Sequence, residues 1–144
     1  MPRANFTKEE LDFLSAARVG RLATAGTSGQ PHVIPIVFAT DGQRLYTPID
    51  RKPKRVAANQ LQRVRNLLEN PKIAFVVDHY EEDWRKLAWL LVKGTGRFLE
   101  SGEEHAKGVR LLEEKYRQYG QMPLKDRPLI VIAPSEITSW SSKL

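Results

Sequence analysis

Apolar and polar positions alternate over short stretches along most of this chain, and a helical period surfaces in three places. Thr7-Lys-Glu-Glu10 has the form of a capping box, with Phe6 before it and Leu11 after it placed for a hydrophobic staple. The pattern predicts a helix to about Ala17 that buries Leu11, Leu14 and Ala17. Arg18–Ala25 alternates loosely and predicts a strand, followed by the turn-forming Gly26-Thr-Ser-Gly29. Pro31–Ala39 is rich in β-branched residues but carries Pro35 in its middle. A proline cannot donate to a ladder, so this strand is expected at an edge, a bulge or a barrel opening. Asp41-Gly42 is the strongest hairpin signal in the chain, predicting an antiparallel return through Arg44–Thr47.

A second helical stripe, Ala57, Leu61, Val64 and Leu68, predicts a helix over Val56–Glu69 that stops at Asn70-Pro71. Ile73–Val77 reads as a buried strand and Asp78–Asp83 as a polar loop. Trp84–Leu91 and Val92–Leu99 read as two strands meeting near Lys93-Gly94. Ser101 is the expected cap of a further helix, with Val109, Leu112, Tyr116 and Tyr119 on one face and Gly120 as its stop. Gln121–Pro128 is a loop, and Leu129–Ala133 and Glu136–Trp140 form two short strands around Pro134-Ser135. Strands and helices do not alternate regularly, which argues against a doubly wound parallel sheet. The expected fold is mainly β (α+β): an antiparallel closed or split barrel of six to eight strands with peripheral helices, one domain over residues 1–144.

A hydrophobic share of 41% over 144 residues is enough to build a core without cross-links. No cysteine is present, which removes disulfides, thiolate nucleophiles and thiolate metal sites. No apolar run approaches a membrane span and the first residues lack a secretory apolar core, so the expectation is a cytoplasmic protein. Charge changes the picture more. Six basic residues and no acid lie between Arg51 and Arg65 (Arg51, Lys52, Lys54, Arg55, Arg63, Arg65), matching the whole net charge of +6. Four of them crowd a proline-broken turn where a strand hands over to a helix, a place suited to a phosphate. A solvated basic helix start fits the same residues.

Chemistry-bearing motifs are few. His32, His79 and His105 have no metal-ligand spacing, and no G-x-S-x-G, phosphate-binding or dinucleotide-binding glycine motif is present. No metal and no catalytic side chain is singled out, and an enzyme of this kind takes its chemistry from a cofactor. Tryptophans beside basic residues stack on flat rings; Trp84 and Trp89 are expected in core or interface packing, and Trp140 either there or beside a ring. Basic charge gathered at one junction, rather than spread along a face, disfavours a nucleic-acid partner, and no membrane partner is expected.

The order of these motifs, from the capped helix through Pro35-Ile-Val37, the Asp41-Gly42 hairpin, Tyr46-Thr47, the basic turn and Asn70-Pro71, resembles the FMN-binding split β-barrel superfamily, the pyridoxamine 5'-phosphate oxidase-like fold. Asp78–Trp84 followed by Leu87–Gly94 resembles a subgroup of probable coenzyme F420-dependent enzymes. The resemblance implies a homodimer with flat cofactors at the subunit interface and an oxidoreductase passing hydride to a small conjugated or heteroaromatic substrate. The cofactor implied is coenzyme F420, with FMN as the alternative; a binding protein for flavin, deazaflavin or haem of the same fold is the other reading. It implies ring contacts from the strand Val33–Phe38, with Pro35, Ile36 and Val37 at the cofactor. Tyr46, Thr47, Arg51 and Lys52 match the phosphate-holding residues of the oxidase branch, and Lys54 matches the lysine of the deazaflavin branch. Arg55, Arg63 and Arg65 suit the acidic oligoglutamate tail of F420, while Trp140 matches a tryptophan that reaches the partner's cofactor. Tyr46, His32 and Lys93 are candidates to assist protonation. The arginine and histidine that recognise pyridoxal phosphate in the true oxidases have no counterpart before Leu144, so vitamin B6 oxidation is not expected.

Overall fold

Two residues, Val37 and Phe38, separate strand β2 (Pro31–Ile36) from strand β3 (Ala39–Thr40), yet these strands stand at opposite ends of one sheet. The computed structural model describes residues 2–49 and 61–142. Across the sheet the strands run β2, β1 (Gly20–Ala25), β5 (Lys72–His79), β6 (Ala88–Leu99), β7 (Leu129–Ser141), β4 (Leu45–Pro48) and β3. Every pairing is antiparallel. Two intervening residues leave three steps between the strand ends, about 11 Å at most, so the sheet must curl until its ends approach. No ladder joins β2 to β3 or β4. The result is the expected antiparallel split barrel, open along one seam.

Pro35 lies on β2, an edge strand as its missing donor requires. The Asp41-Gly42 hairpin is present but joins only the two residues of β3 to β4; the rest of the Pro31–Ala39 run pairs with β1 instead. Trp84–Leu99 is not two strands. Trp84–Lys86 is a 3-10 turn, and β6 continues through Lys93-Gly94 as a β-bulge opposite β7. β7 is likewise one strand of 13 residues, passing Pro134-Ser135 at that bulge. A Cβ on Gly94 would sit 2.1 Å from the Ala133 carbonyl oxygen, so the close approach at the bulge admits no side chain.

Among the described residues, three α-helices close the outside. In α1 (Lys8–Ala16) both halves of the Thr7–Glu10 capping box are formed, and Phe6 and Leu11 pack on the core. α2 (Gln62–Glu69) buries Val64 and Leu67 and leaves Leu68 exposed, one position off the expected stripe; Val56–Gln60 lie outside the described residues. α3 (Glu103–Lys115) begins after Gly102, whose φ of 103° few other residues tolerate, and Ser101 supplies no cap bond. Its face carries Val109 and Leu112, continued by Tyr116 and Tyr119, and all four are buried as expected. The helix ends at Lys115, ahead of Gly120. One core, including Leu22, Phe38, Phe75 and Ile132, fills the barrel; a second, including Tyr46, Leu112, Tyr116 and Val131, lies under α3.

Candidate cofactor groove

The open seam is a groove of about 430 Å³. Ile34, Pro35, Ile36 and Val37 form one wall, Thr47 and Pro48 of β4 the other, and Val19, Arg63 and Tyr119 complete it. Among the described residues no strand pairs with the outer edge of β2, which leaves that wall's outer backbone groups open to a ligand. Its position is fixed by one buried hydroxyl: Tyr116 Oη accepts from the Phe38 N–H (3.2 Å) and lies within bonding distance of the Phe38 and Arg18 carbonyls (3.0 and 2.9 Å). Thr47, only 1% exposed, belongs to the opposite wall, and its backbone is held in register with Ile130.

Of the residues predicted to hold a cofactor, the groove gathers Pro35, Ile36, Val37 and Thr47, with Arg63 of the basic group. Arg51, Lys52, Lys54 and Arg55 lie outside the described residues. Tyr46 is elsewhere. Adjacent strand residues point to opposite faces, so Tyr46 is fully buried beneath α3, where a Cβ on Gly108 would come within 2.7 Å of its ring. Its hydroxyl donates to Asp41 at 3.1 Å, and burial followed by the Asp41 charge raises its pKa. Burial pushes Asp41 up, but hydrogen bonds from Lys107 and the Arg44 and Gln43 N–H groups outweigh it and hold that carboxyl at about 2. His32 lies on β2 with the side-chain parity of Ile34, about 7 Å along the strand. Lys93 sits on β6, three strands from β2.

Trp140 is not in the groove of its own chain. It lies opposite Trp89 across β6 and β7, 47% exposed against 37%, beside a second opening of about 440 Å³ lined also by Arg3, Glu10 and Phe13. Trp84 is 65% exposed. Neither Trp84 nor Trp89 is in the core of the single chain, so the core half of the expected packing role does not hold for them. Composition alone does not separate a core tryptophan from an exposed one; strand parity does, once the register is known. The groove residues that sequence reasoning missed are Val19, Pro48 and Tyr119, brought in from just before β1, the end of β4 and the turn after α3.

A curled edge with a threonine and an arginine opposite suits a flat, anion-bearing ligand, and comparison with known proteins decides the family. A sequence profile described as Pyridoxamine 5'-phosphate oxidase matches residues 6–141. The chain belongs to this family. A 5a,11a-dehydrotetracycline/5a,11a-dehydrooxytetracycline reductase from Streptomyces rimosus is 33% identical over 98 residues, 67% of this chain and 66% of that protein, just under two thirds of its length. Among solved structures, the conserved hypothetical protein Rv2991 from Mycobacterium tuberculosis superposes with a TM-score of 0.74 at 24% identity, covering 99% of this chain and 91% of that one. An F420 reductase superposes at 0.65 and 23%, covering 92% and 98%. HutZ, a haem storage protein from Vibrio cholerae, superposes at 0.71 and 17%, covering 95% and 94%. At these identities the superpositions establish the split-barrel fold of the pyridoxamine 5'-phosphate oxidase family, and the groove is the seam of that fold.

Proposed function

We propose that this protein is an oxidoreductase that binds a flavin-type cofactor in the β2–β4 groove, with coenzyme F420 as the preferred cofactor and FMN as the alternative. One observation carries the reading. The groove joins an unpaired strand edge, Pro35–Val37, to Thr47 and Arg63, and the Arg51–Arg55 cations follow β4 directly in the chain. The reductase from Streptomyces rimosus and the F420 reductase support it as relatives of sequence and of fold.

When bound, such a cofactor supplies hydride transfer. The chain's own residues bind and orient. Backbone groups of Pro35–Val37 would meet the ring edge, Thr47 and the Arg51–Arg55 cations would take the phosphate by charge-assisted hydrogen bonds, and the apolar wall of Val19 and Ile34 would limit water. His32, on the same strand as the ring wall, is the titratable side chain of β2 and the proposed source of a proton for the reduced substrate. The substrate is a small conjugated or heteroaromatic molecule.

The proposed assembly is a homodimer. The outer sheet face carries Val33, Ala23, Ala74 and Lys93 in one cross-strand row and Pro35, Arg21, Val76 and Leu91 in the next, with Asp78, Trp89 and Trp140 beyond. Val33, Trp89 and Trp140 are exposed in the single chain, a pattern that a second copy of the chain relieves. Trp140 then serves the partner's groove.

The test is a parallel titration of coenzyme F420, FMN and haem, followed by fluorescence or absorbance. Tighter binding of F420 is expected, with turnover of the reduced cofactor accelerated by an acceptor. An R51A/K52A/K54A variant should stay folded and lose at least tenfold in affinity; unchanged affinity removes the basic turn from the site.

A further inference from the structure

Beside the groove lies a further pocket, separate from the proposed ring site. Arg18, Lys115, Arg117, Gln118, Gln121 and Met122 line it, with no carboxylate among them. It adjoins the groove through consecutive residues: Arg18 faces the pocket and Val19 the groove, Gln118 the pocket and Tyr119 the groove. Among the described residues, none of its three cations forms an ion pair with an acid.

The cations are held in place by groups that leave donors free. An Arg18 guanidinium N–H bonds the Lys115 carbonyl at 2.9 Å, and the guanidinium lies 4.6 Å from the centre of the Tyr116 ring. Lys115 Nζ gives one hydrogen to the Leu14 carbonyl at 3.1 Å and sits 3.9 Å from the Phe38 ring centre. Arginine has five donors and lysine three, so most remain for a ligand. Burial, followed by the Arg18 charge, lowers the Lys115 pKa to about 8. Bringing an anion into the pocket reverses the second of these effects. The two aromatic rings and two carbonyls under Arg18 and Lys115 fix these two beforehand, so little of their side-chain freedom is lost on binding.

We infer that Arg18, Lys115 and Arg117 form a subsite for the anionic end of a ligand whose ring lies in the groove. This rests on the proposal that the groove holds a flavin-type cofactor. The shared chemistry is a carboxylate or phosphate oxygen accepting from the three cations; the acidic tail of F420 and the phosphate of a flavin mononucleotide are its two sources.

Three probes separate the outcomes: coenzyme F420 (phosphate and acidic tail), FMN (phosphate alone) and riboflavin (neither), titrated against the full chain and an R18Q/K115M/R117Q variant. Arg117→Gln alone is the second variant, because Arg117 is exposed and its loss leaves the Arg18–Tyr116 and Lys115–Phe38 contacts in place. The triple variant should bind F420 at least tenfold more weakly and Arg117→Gln about threefold more weakly, with riboflavin unchanged. A loss confined to F420 assigns the pocket to the tail, and an equal loss for FMN moves the phosphate here from Thr47 and the Arg51–Arg55 cations. No loss for either, or an equal loss for riboflavin, overturns the subsite. If none of the three binds the wild-type chain, the cofactor reading fails instead. Titration with tetraglutamate and with inorganic phosphate, read from backbone amide shifts, then decides: shifts at Arg18 and Tyr116–Gln118 uphold an anion pocket, and their absence rejects it.

Discussion

The Tyr116 hydroxyl lies 3.2 Å from the Phe38 N–H and 3.0 Å from the Phe38 carbonyl, clasping the connection between the two ends of the sheet at its backbone. Phe38 itself is buried and meets Phe75 edge to face with ring centres 5.1 Å apart. A residue from the end of α3 therefore fixes the strand wall of the groove.

Removing that hydroxyl in Tyr116→Phe strands the Phe38 N–H in the interior while leaving the ring's packing intact. The expected cost is about 1–3 kcal/mol, the usual penalty for an unsatisfied buried group. Urea unfolding should show a lower midpoint at unchanged slope. Cofactor affinity should also fall, because the Pro35–Val37 wall loses its anchor. A variant as stable and as tight-binding as wild type contradicts both statements.

What was legible in the sequence was local. Thr7 and Glu10 cap within one turn, Asp41-Gly42 turns a hairpin, and Pro35 reports an edge through a donor it lacks. Long-range pairing was not legible. Lys93-Gly94 and Pro134-Ser135 each looked like a strand end, yet they face one another and make a single bulge in two long strands. Seen separately, each is a break; only their pairing turns both into one bend of the barrel. Tyr46 and Thr47 are neighbours in sequence, but the strand sends one under α3 and the other into the groove. The Arg18–Lys115–Arg117 pocket was invisible because its members are far apart in the chain.

Gly94→Ala tests the bulge. The added Cβ meets the Ala133 carbonyl oxygen at 2.1 Å, and backbone cannot swing aside as a flexible side chain does. Overpacking of this kind costs about 1–3 kcal/mol and sometimes more. Thermal and urea unfolding should place the variant at the upper end of that range. Since Gly94 does not line the groove, cofactor affinity of the folded protein should be unchanged.

Glu10 sets an acid limit on stability. Arg3 holds its carboxylate through bonds of 2.7 and 2.9 Å, the Ser139 hydroxyl donates at 2.6 Å, and the Thr7 N–H donates at 2.9 Å. The Arg3 hydrogen bonds chiefly, against an opposing effect of burial, lower its pKa from 4.5 to about 2. The folded state thus binds fewer protons than the unfolded chain between these values. Its stabilisation is complete above about pH 4.5 and is lost as pH falls towards 2. The shift corresponds to an upper figure of about 3 kcal/mol. Urea unfolding from pH 7 down to pH ~2.5 should show Glu10→Gln less stable than wild type at neutral pH, with the gap closing in acid. A gap that stays constant with pH is the contrary result.

Trp140 offers a test of the shared groove, because its exposed position across from Trp89 leaves it outside its own chain's cleft. In the proposed two-fold dimer, each groove takes its cations from one chain and its tryptophan from the other. Trp140→Ala keeps the β7 backbone in register and should fold normally, yet bind cofactor about tenfold more weakly. R51A/K52A/K54A should be weak for the opposite reason. Mixing the two under conditions that exchange subunits gives heterodimers in which one groove has lost both contributions and the other has neither defect. Random pairing makes about half the dimers mixed, so tight sites should return at about a quarter of the wild-type number. Gain of those sites on mixing two defective proteins has no explanation within a single chain. A mixture that binds as the average of its parts would place Trp140 outside the cofactor's reach.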